Sequence, residues 1–342
     1  MEVQAMSKKV QVGLLSPFFL PLAGYEESAR HLDLDLVMVT PNRINWKSQE
    51  VYGLIYNGQA WIEDNVPLPR SLYNRYYGPK PKIVSRLEAA LGKNKIFNHI
   101  TRFDKWIIHQ LLAKSTLKAY LPATALYTPQ QLTHYLGRFG RVILKPVSGQ
   151  LGTKIYLITA ERGVYYLHHG TKSAIAHFFS LEDLLANLES VIDKDFLIQE
   201  FLPLASVDGR VFDVRFLVQK NGKGEWQVTG MLSRLALRYS YVTNLSQAIL
   251  PVEEVLGKLL PNLDIVTKLT EISITAAQMV EGSLGSLGEL SVDFGLGSKG
   301  SVWIIELNAK PMKSIFAGLA DNQLMQTIYS QPLLYALYLA SV

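Results

Sequence analysis

Cysteine is absent from the chain. A disulfide framework, a zinc–thiolate site, an iron–sulfur cluster and a cysteine nucleophile are therefore excluded, which fits a reducing interior. Charge is sparse, at 18% of residues against 48% hydrophobic. That balance excludes intrinsic disorder, because apolar surface is ample to offset the entropy of the chain. Long apolar runs are missing too. Residues 12–24 contain Pro17 and Pro21 and are too short to cross a bilayer, and residues 332–340 are also too short. The polar start, residues 1–10, is not followed by the apolar core and small-residue cleavage site of a signal peptide. The expectation is a soluble, cytoplasmic protein without a membrane partner.

The 342 residues suggest two or three compact units, with no repeat and no low-complexity tract. The formal charge of +5, from 34 basic against 29 acidic residues, favours anionic partners. The basic residues are scattered rather than gathered in one run, so nucleic acid is not the expected partner.

The first hundred residues read as a small α/β unit. Strands are expected at Val10–Leu15, 34–40, 53–57 and 71–73, with a helix over 26–32 and a basic, partly helical connector over 80–95. A boundary falls near 97–101. Phe103, Trp106, Ile107 and Leu111 share one face of a helix expected over 101–114, for which Thr101 is a plausible N-cap. Strands follow at 141–145, 153–159, 164–168, 195–202 and 211–219. Asn221 and Gly222 then mark a hairpin into 225–234. A helix over 263–281 leads to a last strand pair, 288–294 and 301–308. Strands with helices inserted between them make α+β the class expected after residue 100.

Several stretches carry chemistry. Lys145 ends a strand and is followed by a loop with Gly149 and Gly152, a pattern that lets backbone N–H groups approach a phosphate beside a point charge. A glycine-bearing hairpin with a surface lysine is the plainer account of this stretch taken alone. No Gly-Lys-Ser/Thr opens a helix, so the Walker loop is excluded. Glu306 and Asn308 leave the same face of one strand, and a turn centred near Lys299 and Gly300 would set Asp293 opposite Glu306. Three hard oxygen donors in an apolar hairpin suit Mg²⁺; the alternative is a hairpin whose polar residues face water. Asp293, Phe294 and Gly295 imitate the protein-kinase metal motif, but no His-Arg-Asp loop precedes them.

Glu200 closes an apolar strand before Pro203, and such a segment can meet a purine edge. A strand with a charged end is the plainer account. Asp213 and Arg215 alternate on the next strand, Arg234 ends the strand after the Asn-Gly turn, and Asn244 lies beyond Tyr241. Two arginines near a phosphate site suit phosphoryl transfer, and structural ion pairing with Asp213 is the alternative.

The order of these signals resembles the ATP-grasp superfamily. Within it the chain is similar to the YheC/YheD family of endospore coat-associated proteins. The resemblance rests on Tyr73, Asn74 and Arg75; on Ile96, Phe97 and Asn98 with Phe103, Asp104, Lys105 and Trp106; on Leu121 to Thr124 and Val242 to Leu245; and on Ile305 to Pro311. It covers the chain from about Val10 to Phe316. It implies an ATP-grasp fold, two α+β subdomains clamping ATP, preceded by a small α/β pre-ATP-grasp domain. The corresponding ranges are 1–98 for the first domain, 99–325 for the ATP-grasp domain with its nucleotide-clamping part at about 120–200, and 326–342 for a C-terminal helix.

The resemblance also implies roles. Lys105 and Lys145 match the lysines that hold the α- and β-phosphates, with Gly149 and Gly152 in the loop beside them. Glu200 with the backbone of Phe201 and Leu202 matches the adenine hinge. Asp213 matches the ribose-binding acid, with Asp208 as runner-up. Arg234 and Asn244 match phosphate contacts, and Arg234, Lys145 and Arg215 are the catalytic candidates. Asp293, Glu306 and Asn308 match the Mg²⁺ ligands. The implied activity is a Mg-ATP-dependent carboxylate–amine ligase working through an acyl phosphate, linked to the endospore coat or envelope. A non-catalytic nucleotide-binding or structural coat component is the alternative. Small-molecule or peptide carboxylates and amines, and spore-coat proteins, are the implied partners. Lys310 and Lys313 could receive an acidic substrate, or be solvated surface lysines. The chain departs from the family at Ala248 and Ile249, where a Gly-Gly pair is usual, and at Met312, where Gly usually follows Pro.

Overall fold

In this computed structural model the described residues are 10–149, 154–192, 195–243, 246–260 and 264–342. Among them, three sheets organise the chain. The first runs Ile44–Asn45, Glu50–Tyr56, Leu34–Val39, Val10–Leu15, Leu72–Asn74, Ile96–Phe97, with Trp61–Pro67 paired to Glu50–Tyr56. Its central strands are parallel. Parallel strands bury both faces, and Val12, Leu14, Leu36 and Val37 are fully buried accordingly.

The helix Asn322–Ser341 covers one face of this sheet, packing Leu333, Tyr335, Ala336 and Leu339 against Val12, Leu14, Tyr73 and Phe97. The end of the chain therefore completes the core of its beginning. Asp321 caps this helix by accepting from Leu324 N–H, so it starts at Asn322 rather than near 326. Pro332 lies inside it and has no N–H to offer the carbonyl of Ile328 four residues back. Gln219 Nε2 donates to that carbonyl instead at 2.9 Å, tying the helix to the third sheet.

The second sheet is antiparallel, in the order Ala174–Phe178, Val164–His169, Tyr156–Glu161, Arg141–Pro146, Phe196–Glu200, Thr124–Leu126. Helices Pro129–Phe139 and Leu181–Val191 fill the core on it with Leu132, Leu136, Leu184 and Leu188. The first of these is delimited locally. Thr128 accepts from Gln131 N–H, Pro129 opens the first turn, and Gly140 stops it at φ 68°.

The third sheet is also antiparallel, in the order Ser246–Leu250, Trp226–Ala236, Arg210–Lys220, Glu289–Leu296, Val302–Asn308, with Ser206–Val207 beside Arg210–Lys220. The helices Lys105–Leu112, Val252–Leu259 and Ile265–Leu284 pack on it around Phe212, Phe216 and Phe294. The first of these helices is shorter than the expected 101–114. Its cap is Asp104, whose carboxylate accepts from the N–H groups of Trp106 and Ile107, both at 2.9 Å. Thr101 is turned away. Its hydroxyl accepts from Gly78 N–H and donates to the carbonyl of Tyr76. No described helix is long and apolar enough to cross a membrane.

Candidate active-site cleft

A cleft of about 680 Å³ is lined by the second and third sheets, the start of helix Lys105–Leu112 and the segment after Asn308. Register brings the side chains to it. The turn through Gly297 and Gly300 closes the last hairpin, and Phe294 pairs with Ile304. Between Phe294 and Asp293 the register slips by one, because Ile305 is an extra residue on its strand. Asp293 therefore pairs with Glu306 rather than with Ile305, and Ser291 with Asn308.

Glu306 and Asn308 line the cleft. Asp293 sits behind them, 3% exposed, with its Oδ2 accepting from Asn308 Nδ2 at 3.3 Å. Among the described residues no three or more His, Cys, Asp or Glu side chains gather as a metal site. This trio is two acids and an amide. Its donor chemistry fits Mg²⁺, a hard cation that takes few protein oxygens and keeps water or phosphate for the rest. Asp293 Oδ1 accepts from a single guanidinium here and so retains a lone pair.

Three further charges lie buried around Asp293. Arg215 donates to Asp293 through Nε and Nη2, both at 2.7 Å. Arg234 donates to Asp213 at 2.8 and 2.5 Å and to Asp293 at 2.9 Å. Two cations thus meet two anions. Burial opposes the charge on Asp293, but Arg215 and Arg234 more than offset it and hold its carboxyl at about 2. Burial likewise opposes the charge on Arg234, and Asp293 and Asp213 outweigh it, raising that pKa. Both arginines also line the cleft.

Asp213, expected at the ribose, is engaged within the protein in this geometry. Its side chain is buried at 1% exposure, and its oxygens are taken by Arg234 and by the hydroxyl of Thr243, a residue assigned no role from sequence. It does not line the cleft, and it is hydrogen-bonded to Arg234, which does. Asp208 is exposed and lies 3.9 Å from Arg210.

On the opposite wall Lys145 is buried, and its ammonium donates to Gln199 Oε1 at 3.0 Å. Gln199 is in turn fixed by Thr124 at 2.9 Å. Burial, with Lys105 adding to it and Glu306 opposing, lowers the Lys145 pKa to about 8. Lys105 Nζ donates to the carbonyl of Gly149 at 3.2 Å and pairs with Glu306 Oε1 at 3.0 Å. Gly149 lines the cleft; Gly152 and Asn244 lie outside the described residues.

Glu200, Phe201 and Leu202 line one end of the cleft. The N–H of Glu200 donates to Ala123 O at 3.0 Å, its carboxylate accepts from Ala123 N–H at 2.8 Å, and Phe201 N–H donates to Arg141 O at 3.2 Å. The N–H groups of Glu200 and Phe201 are thus engaged within the protein. The resemblance pointed to this segment but gave no sign of those partners.

A clasp joins the two walls. Thr171 and Ser240 form a β-bridge, and the Tyr241 hydroxyl accepts from Gly170 N–H at 3.0 Å while donating to Ile155 O at 2.9 Å. At the other end, Lys313 is not at the surface. It is 4% exposed and pairs with Glu289 at 2.5 Å. Glu289 also accepts from Tyr73, from Arg75 at 3.3 Å and from Gln219 at 2.9 Å. Burial opposes its charge, but Lys313 and Arg75 more than offset this and hold the carboxyl below its ordinary value. Glu289 was not singled out from sequence; its only signal is an acid at an inward position of an apolar strand.

Known proteins share this architecture. A family model described as YheC/D-like ATP-grasp matches residues 93–339. The endospore coat-associated protein YheD of Bacillus subtilis (strain 168) is 31% identical over 292 residues, covering 81% of this chain and 64% of YheD. The chain thus spans less than two thirds of that relative. YheC of the same organism, also named endospore coat-associated, is 24% identical over 329 residues, covering 92% of this chain and 90% of YheC. Among solved structures, the ATP-grasp ligase PsnB complexed with minimal precursor, Mg and ADP superposes with a TM-score of 0.51. Identity there is 16%, with 97% of this chain and 98% of that chain covered, a likeness that shows the ATP-grasp fold.

Proposed function

The chain belongs to the YheC/D-like ATP-grasp family, and from that premise we propose that it is a Mg²⁺- and ATP-dependent ligase joining a carboxylate to an amine. The observation that carries this reading is the convergence of Lys105, Lys145, Glu306 and Asn308 on one cleft that Glu200 and Phe201 also line. A carboxylate oxygen attacks the γ-phosphorus of ATP, the β–γ bridging oxygen leaves with ADP, and an acyl phosphate results. The amine nitrogen then attacks the acyl carbon, phosphate leaves, and the nitrogen gives up a proton.

The protein's part is positioning and charge neutralisation, with no covalent bond to the chain. Lys105 and Lys145 hold the α- and β-phosphates from two sides. Glu200, Phe201 and Leu202 flank the adenine. Arg215 and Arg234, held in place by Asp293 and Asp213, turn their remaining donors to the γ-phosphoryl group. Glu306 and Asn308, with Asp293 behind them, hold Mg²⁺, which when bound neutralises charge on the phosphate oxygens. The substrates are small-molecule or peptide carboxylates and amines. The names of YheD and YheC support seeking them in endospore coat or envelope material.

The test is ADP release by the purified protein with Mg-ATP and a panel of amino acids, peptides and cell-wall fragments. Release that an acceptor stimulates and Glu306→Gln abolishes supports the ligase. ATP left intact with every acceptor, and Glu306→Gln indistinguishable from the parent, would replace it with a non-catalytic nucleotide-binding coat component.

A further inference from the structure

The end of the cleft away from Glu200 carries an excess of positive charge. The charged groups that act on Lys310 are Arg75, Lys313 and Glu289. Glu289 is already saturated. Tyr73 and Arg75 donate to Oε1, and Lys313 and Gln219 to Oε2. One carboxylate therefore answers Arg75 and Lys313 and has nothing left for Lys310. The Lys310 ammonium donates to the main-chain carbonyl of Arg75 at 2.7 Å. Arg102 stands on the same ground. Its guanidinium carbon and the Lys310 ammonium are each 5.9 Å from the centre of the Tyr77 ring. Among the described residues neither Arg102 nor Lys310 has a carboxylate partner, and both line the cleft with Tyr77. Arg75 Nε is also buried there without a hydrogen-bond partner. Glu88 is taken by Lys80 and His99, and Glu306 in the cleft by Lys105.

Cations that crowd together in a partly buried recess repel one another, and an anion relieves both that repulsion and their loss of water. A guanidinium and an ammonium that line the same cleft together offer several N–H donors to an anion there. We propose that Arg102 and Lys310 bind a carboxylate carried by the acceptor substrate, so that the acceptor is an acidic amino acid or an acidic residue of a peptide. Tyr77 forms the wall along which that side chain lies. The proposal deepens the ligase reading and rests on it for the word acceptor, but the anion site stands on its own charges.

The experiment separates the two. Calorimetry of the full chain first measures Mg²⁺ with a non-hydrolysable ATP analogue, then, with that nucleotide present, glutamate, aspartate and glutamate-containing dipeptides against their matched amides. The acids are expected to bind and the amides to bind at least about tenfold more weakly, as the loss of a charge-assisted hydrogen bond implies. Arg102→Gln and Lys310→Gln should each weaken the acids about tenfold and leave nucleotide affinity within about twofold, and Lys310→Arg should restore them. Arg102 is exposed, so its variant is a safe test of folding. Equal binding of acids and amides, no binding of any acid, or binding that neither substitution moves overturns the proposal. Tighter binding of inorganic phosphate than of any carboxylate overturns the choice of carboxylate. Acids that bind while the nucleotide does not would leave this anion site standing and remove the ligase reading.

Discussion

The Lys105 ammonium lies 3.0 Å from Glu306 Oε1, an ion pair that joins the first turn of a helix to the last strand of the third sheet. In the proposed reaction both side chains are needed elsewhere once nucleotide arrives, Lys105 by phosphate and Glu306 by Mg²⁺. The pair is partly open to water, at 17% and 25% exposure, so it adds little to stability. Glu306→Gln is expected to leave the urea midpoint almost unchanged and to lower acceptor-stimulated ADP release at least about 100-fold. Chelation of Mg²⁺ should do the same to the parent. A variant that turns over normally at saturating Mg-ATP would remove Glu306 from the metal site.

If Lys145 holds phosphate as proposed, nucleotide binding should depend on pH. Burial lowers its pKa to about 8, so the free protein loses this cation as pH rises through that value. Phosphate favours the charged form, and binding above pH 8 therefore takes up a proton. The affinity for ATP should fall as pH rises from about 8, by up to tenfold per unit. Lys145→Arg keeps its charge throughout and should flatten that slope. Isothermal titration at pH 7, 8 and 9 measures both. A slope that persists in the arginine variant would assign the effect to another group.

Asp213 acts through Arg234, and its loss should register first as stability. Asp213→Asn leaves a buried guanidinium with one anionic partner instead of two. The expected cost is about 3 kcal/mol, read as a lower urea midpoint. Arg234→Met in the same background should recover part of it. Unchanged stability together with a tenfold loss of ATP affinity would return Asp213 to the ribose.

Tyr241 holds the two walls together through one hydroxyl. Tyr241→Phe leaves Gly170 N–H and Ile155 O without that partner, at a cost of about 1 to 2 kcal/mol. Nucleotide should dissociate several-fold faster, as stopped-flow displacement would show. The same off-rate in both proteins would mean that the clasp does not gate the cleft.

Much of the candidate site was legible because it is local. Glu306 and Asn308 share a face by the two-residue period of a strand. Asp104 and Lys105 open a helix whose apolar face was plain, although the cap was expected at Thr101. There, the contact of Thr101 with Tyr76 and Gly78 left Asp104 to take the position.

What the chain's own pattern determined is the kind of elements, their order and the residue types able to meet a metal-bound triphosphate. That follows because strand and helix periods act over a few neighbouring residues. What only the tertiary structure decided is which charge each group meets. Ile305 sets Asp293 against Glu306 by one inserted residue, Gln219 answers the carbonyl that Pro332 leaves open, and Glu289 takes Lys313 out of the surface. Those choices depend on partners up to 109 residues away. Burial makes an unpaired charge costly enough to enforce them.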